Sequence, residues 1–91
     1  MEIQWNPIKN EWLLATRGVS FDEVAQLIAQ GLIIELIASR NQLAHPGQKT
    51  AVLEIRGYIY LVPFVETSEG LFLKTIIPSR KATKKFGGRY G

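Results

Sequence analysis

Apolar positions run first at a helical period and then at a strand period. Glu2–Trp5 alternates and reads as a short strand leading into Asn6-Pro7. Asn is a good helix N-cap, and Pro fits the first helical position because its missing N–H has no intrahelical partner there. A helix is therefore predicted from Pro7 to about Arg17, with Ile8, Trp12 and Ala15 at helical spacing and Gly18 as its stop. Trp5 and Trp12 flank this helix at a spacing that favours core packing. Ser20-Phe21-Asp22-Glu23 then has the form of a capping box, in which the Ser20 hydroxyl accepts from the Glu23 N–H and the Glu23 carboxylate reaches back. Phe21, Val24, Ala25, Leu27 and Ile28 form one apolar face of a second helix, and Gly31 ends it.

From Leu32 onward the period is strand-like. Leu32–Ile37 is apolar except for Glu35, and Ser39–Gln48 is a polar loop. Lys49–Arg56 alternates, and Tyr58–Val65 is apolar on both faces, as a central strand would be. If Arg56-Gly57 is a two-residue hairpin turn, Ile55 opposes Tyr58 and Leu53 opposes Tyr60. Pro63 cannot donate to a ladder, so an irregularity is expected near it. Thr67–Gly70 is the next turn, Leu71–Ile77 the last strand, and Pro78-Ser79 breaks it. Ser79 can cap a short final helix from Arg80, ended by Gly87-Gly88. The expected fold is α+β: two N-terminal helices on one face of an antiparallel sheet of about four strands, then a short basic C-terminal helix.

Composition narrows this picture. Ninety-one residues correspond to one domain with one modest core. There is no cysteine, which excludes disulfides, a thiolate zinc site and a cysteine nucleophile, and suits a reducing cytosol. Glu2 comes early and no apolar run is long, so neither a signal peptide nor a membrane span is expected. The net charge of +3 is unevenly spread. Residues 1–78 carry six basic side chains and all eight acids, a balance of −2; residues 79–91 carry Arg80, Lys81, Lys84, Lys85 and Arg89 with no acid, a balance of +5. Such asymmetry points to an anionic partner, nucleic acid or an acidic protein, or else to a solubilising terminus.

Few reaction types fit these residues. His45 is the lone histidine, no carboxylates are paired by spacing, and the glycines do not form a phosphate-cradling loop. Metal binding and a cofactor are not expected. An enzyme built this way must work with cations, hydroxyls and one imidazole. Phosphodiester cleavage of RNA allows that, because the substrate supplies the 2′-hydroxyl nucleophile and the protein need only orient, neutralise charge and move a proton. Arg80 and Lys81 follow the last strand at a helix start and can hold phosphate. Lys49 opens a strand after a loop containing Arg40 and His45, and Lys74 interrupts an apolar run, where it lines a cleft or snorkels at an edge. His45 is either an acid–base group or exposed polar surface. Tyr58 and Tyr60 share a face and either stack on bases or pair within the hairpin.

The order of certain motifs carries a resemblance. Trp5-Asn6-Pro7-x-Lys9, then Arg17-Gly18-Val19-Ser20-Phe21-Asp22-Glu23, then Ile76-Ile77-Pro78-Ser79-Arg80-Lys81-Ala82-Thr83 resemble the BrnT group of small toxins of bacterial type II toxin–antitoxin systems, within the RelE-like ribonuclease superfamily. The resemblance runs over nearly the whole chain. It implies a cytoplasmic, metal-independent endoribonuclease that arrests translation. It also implies a ribbon-helix-helix antitoxin as partner, two copies of each chain, and operator DNA bound through that antitoxin. Arg80 and Lys81 fall on the family's basic segment, with Pro78 before Ser79 a departure from its commoner form. Lys49 stands where many members have Arg at the start of a strand, whereas His45 matches no family position. Members continue into a longer charged helix, so a short last helix is expected here. On this reading Lys49, Arg80, Lys81, Lys74 and His45 are the catalytic candidates, and Arg40, Lys84 and Lys85 the RNA-binding ones. The rival is a non-catalytic RNA- or protein-binding module using the same basic end.

Overall fold

The computed structural model describes residues 2–38, 43 and 46–90, the last four of these by their backbone alone. Its elements are β1 (Glu2–Trp5), α1 (Pro7–Arg17), α2 (Phe21–Ala29), β2 (Glu35–Ala38), β3 (Gln48–Ile55), β4 (Tyr58–Glu66), β5 (Gly70–Leu73), β6 (Ile77–Pro78) and α3 (Arg80–Tyr90). Among the described residues, no helix is long and apolar enough to cross a membrane.

The helix ends follow the sequence signals. Asn6 Oδ1 accepts from the Ile8 and Lys9 N–H groups, Pro7 takes the first helical position, and Gly18 closes α1 at φ 68°. Ser20 and Glu23 make the reciprocal capping box at the start of α2. The end of α2 is a Schellman motif: Leu32 N–H donates to Leu27 O and Gly31 N–H to Ile28 O, with Gly31 at φ 73°. This closing turn consumes Leu32, so β2 starts at Glu35 and not at Leu32 as the apolar run predicted.

The fold is α+β, but the sheet is mixed and larger than expected. It has six strands in the order β1-β5-β4-β3-β2, with β6 also on β4. β1 joins it parallel to β5, in the register Glu2↔Gly70 through Trp5↔Leu73, while the other pairs are antiparallel. Gly70 makes that pairing possible. Its φ is +153°, and a Cβ there would sit 2.0 Å from the Glu2 carbonyl oxygen.

The hairpin forms as the sequence predicts. Arg56 and Gly57 both have positive φ (49° and 82°), the signature of a type I′ turn, and Ile55↔Tyr58 and Leu53↔Tyr60 are partners. The irregularity expected near Pro63 is present, and the neighbouring strand bears it. Lys74 N–H donates to Pro63 O at 2.8 Å, but Pro63 has no N–H to return the bond. The ladder therefore stops at Leu73 and resumes with Ile77 opposite Leu61, with one more residue between them than β4 has between their partners. The predicted strand Leu71–Ile77 is thus two strands with a bulge at Lys74–Ile76.

The core lies between α1, α2 and one sheet face. Leu13, Val19, Phe21 and Val24 pack on Ala51, Leu53, Ile55, Val62, Phe64, Leu73 and Ile76, and Trp5 stacks on Phe21 at 5.8 Å. Burying such a set contributes roughly 1.5–3 kcal/mol per large side chain. α1 is turned differently from the prediction. Ile8 is 77% exposed and Trp12 45%, so the row Ile8, Trp12, Ala15 faces outward and Leu13 is the buried residue. The inward row includes a polar residue, Asn10, whose Oδ1 accepts from Phe21 N–H at 2.7 Å and so helps to cap α2. On the reverse sheet face Val52 and Ile59 are buried too, and α3 lies against β4. α3 runs on through Gly87 and Gly88 for 11 residues, so it is as long as α1 and not the short helix predicted. Glycine lowers helix stability by only about 1 kcal/mol each.

Candidate nucleic-acid interface

The basic end of the chain is fixed to the sheet through one residue of β4. Ser79 N–H donates to Ile59 O at 2.9 Å, and Ile59 N–H donates to Thr83 Oγ1 at 2.9 Å. Ser79 is also the helix cap, its Oγ accepting from Ala82 N–H at 3.1 Å while Thr83 Oγ1–H donates to Ser79 O. Both main-chain polar groups of Ile59 are thus satisfied by the first turn of α3, which sets where that turn points.

On that fixed turn Ala82, Thr83 and Phe86 are half-buried, whereas Arg80, Lys81, Lys84 and Lys85 are exposed. Lys81, Lys84 and Lys85 stand at three- and four-residue spacings, where like charges repel. The first turn contains no acid, although a helix N-terminus favours one. The cations of α3 therefore oppose both one another and the helix dipole. A bound anion relieves both.

Other groups lie at this end of the sheet. Pro78 is paired with Tyr60, and Tyr58 and Tyr60 form an edge-to-face pair at 5.7 Å. Arg17 reaches from α1 to the bulge, Nη1–H donating to Ile76 O at 2.5 Å. It also lies over the Trp12 ring at 5.1 Å, with Lys9 at 4.4 Å. Arg56 in the hairpin turn donates to Glu23 and to Gly18 O, tying the turn to the joint between α1 and α2. Nothing in the sequence marks Arg17 and Arg56 as site residues. Their partners are main-chain oxygens and a capping carboxylate, which leave no motif of their own.

The predicted cations do not form one cluster. Lys49 pairs with Phe64, five residues along β4 from the Ile59 anchor of α3, which is about 17 Å of strand. It is engaged there with Glu66, Nζ to Oε1 at 2.8 Å on an exposed surface. The Lys49 hydrogen bond and then its charge hold the Glu66 carboxyl below its ordinary value. Lys74 is exposed on the bulge between β5 and β6. Arg40 and His45 lie outside the described residues. Two shallow hollows border α2, one beside Leu27, Leu32, Ile33 and Ile34 and one beside Glu23, Gln26, Gln30 and Arg56. Neither is lined by Lys49, Lys74, Arg80 or Lys81. No family model, curated protein or solved structure matches this chain.

Proposed function

We propose that this chain is a RelE-like, BrnT-like toxin: a cytoplasmic endoribonuclease that cleaves RNA without a metal and arrests translation. The observation that carries the reading is the acid-free, four-cation first half of α3, held at the sheet end by Ile59. The order of the sequence motifs around Trp5, Arg17 and Ser79 supports the family. In this reading Arg80 and Lys81 clamp the scissile phosphate and Lys84 and Lys85 follow the backbone. The 2′-oxygen attacks phosphorus and gives up its proton as the bond to the 5′-oxygen breaks and that oxygen takes a proton, leaving a 2′,3′-cyclic phosphate. The cations stabilise the charge that builds on the five-coordinate phosphorus. A ribbon-helix-helix antitoxin would neutralise the toxin in an assembly with two copies of each chain, binding operator DNA through the antitoxin.

A second reading is favoured by one observation: Lys49 stands apart from Arg80 and is occupied by Glu66. A non-catalytic module that holds RNA on α3 needs no such convergence. Purified protein incubated with RNA, with and without chelator, separates the two. The toxin reading expects more than one cleavage product per protein molecule, unaffected by chelator and lost in the Arg80→Ala/Lys81→Ala variant with folding intact. Binding whose logarithm falls with log salt at a slope of about −3, without turnover, would establish the module instead.

A further inference from the structure

The sheet has one edge built to receive another strand. β2 pairs with β3 on one side, and among the described residues nothing pairs with its other side. The direction of its main-chain groups follows from the register. Pro63 O accepts from Lys74, so the odd residues of β4 point their main-chain groups toward β5 and β6, and the even ones toward β3. Val62 and Phe64 therefore bond with Ala51 and Lys49, which leaves Thr50 and Val52 to bond with Ile37 and Glu35. Val52 O also accepts from Ile34 N–H, one residue before its register partner Glu35, so β2 enters the sheet through a bulge at Ile34-Glu35 and alternates regularly beyond it. What remains pointing away from the sheet is the N–H and C=O of Leu36 and of Ala38.

Among the described residues, the protection of this edge is limited to its shortness, the bulge at its start and the charge of Glu35. Residues 35–38 read Glu-Leu-Ile-Ala, with no lysine or proline, and all four are exposed. Leu36 is 57% exposed and Ile37 44%, on opposite faces. The hollow lined by Leu27, Leu32, Ile33 and Ile34 borders the same edge with more apolar surface. An extended segment with outward donors and acceptors, apolar on both faces, selects a β-strand as its occupant.

We propose that the occupant is β2 of a second copy of this chain, paired antiparallel about a two-fold axis through Ile37. This register uses the outward groups of the described edge: Leu36 exchanges two hydrogen bonds with Ala38 of the other copy, and Ala38 with its Leu36. On one face the bulky Leu36 lies over the small Ala38, and on the other the two Ile37 side chains meet at a closely spaced, non-hydrogen-bonded pair. The two Glu35 carboxylates are displaced from one another by four residues, about 13 Å of strand, so no like charges oppose. The strand is thus complementary to itself in size, polarity and charge, as an isologous interface requires. The two sheets become one continuous sheet, and the basic α3 helices lie away from the seam. The proposal is independent of the ribonuclease reading.

Sedimentation of the purified chain at about 100 µM, with cysteine cross-linking in this cysteine-free background, tests it. A dimer in the micromolar range is expected. Ile37→Cys should cross-link on oxidation, because the two Cα atoms of such a pair are about 4.5 Å apart and a disulfide spans that distance. Glu35→Cys should not. Ala38→Pro keeps the apolar surface and the bonds to β3 but removes two of the four new bonds, and should weaken dimerisation about tenfold or more. Circular dichroism of Ala38→Pro confirms that the monomer is folded. A monomer at 100 µM would overturn the proposal. So would a dimer that cross-links equally at positions 35 and 37, or one indifferent to Ala38→Pro.

Discussion

Gly70→Ala tests the parallel junction that makes the sheet mixed. Gly70 follows a turn, and by sequence alone it is an ordinary turn glycine. In the fold its Cα lies against the main chain of Glu2, the first residue of β1. An added Cβ would meet Glu2 O at 2.0 Å, Glu2 N at 2.7 Å and Glu2 C at 2.9 Å, all backbone atoms that no rotamer change can move. Ordinary contact begins at 3.4 Å, so the carbonyl must retreat by about 1.4 Å. A ladder hydrogen bond does not survive a stretch of that size. Overpacking of this kind costs about 1–3 kcal/mol, and a non-glycine residue at φ +153° adds about 1–3 more. The smaller entropy of the unfolded alanine chain returns about 0.4–1 kcal/mol. The expected net loss is about 3 kcal/mol, or a fall of about 15 °C in Tm for a domain of this size. The assay is urea unfolding followed by fluorescence in a Trp12→Phe background, where Trp5 on β1 is the remaining indole. A loss below about 0.5 kcal/mol with an unchanged Trp5 signal would refute the placement of β1 beside Gly70.

Three further outcomes follow from the same geometry. Leu13→Ala should cost about 2–5 kcal/mol in urea unfolding and Trp12→Ala less than about 1, the reverse of what the spacing of α1 suggests. Thr83→Val leaves Ile59 N–H without its acceptor; a loss of about 1–3 kcal/mol is expected, and protection of that amide from hydrogen exchange should fall. Lys49→Ala should return the Glu66 carboxyl to its ordinary value near 4.5, read by NMR titration. Because the folded carboxyl is held low, its contribution to stability is present above the unfolded carboxylate's titration range and disappears as pH falls through the lowered folded value. The pair is exposed, so unfolding midpoints near neutral pH should move little.

What the sequence made legible was chiefly local. The caps at Asn6 and Ser20 and the turn at Arg56-Gly57 are short-range devices whose physics acts within a few residues, and all three form as read; the break read at Pro78-Ser79 falls at Ser79 alone, because Pro78 pairs with Tyr60 inside β6. What it hid depends on distant partners. Ile8-Trp12-Ala15 is as periodic as the true inward row, and the choice between them rests on Asn10 meeting Phe21 N–H, a contact invisible to a hydrophobic pattern. The parallel pairing of β1 needed Gly70 to be read as a site of close approach. Pro63 announced an irregularity without saying which strand would bear it. The candidate site was legible to the same extent. Arg80, Lys81, Lys84 and Lys85 share one helix because they are neighbours in sequence, whereas the separation of Lys49 from them is set by its position along the sheet.

The parallel partnership of β1 with β5 also bears on the order of folding. Glu2 and Gly70 are 68 positions apart, so this is among the longest loops the chain must close. The β3–β4 hairpin can form from its own turn, and α1 and α2 can meet through Asn10, before β5 has left the ribosome. β1 must wait for it. During synthesis β1, made well before β5, is therefore among the last of these strands to be secured, and until then its pairing edge and Trp5 are open to other partners. A slow final phase reported by Trp5, after the hairpin has formed, is the kinetic signature this topology predicts.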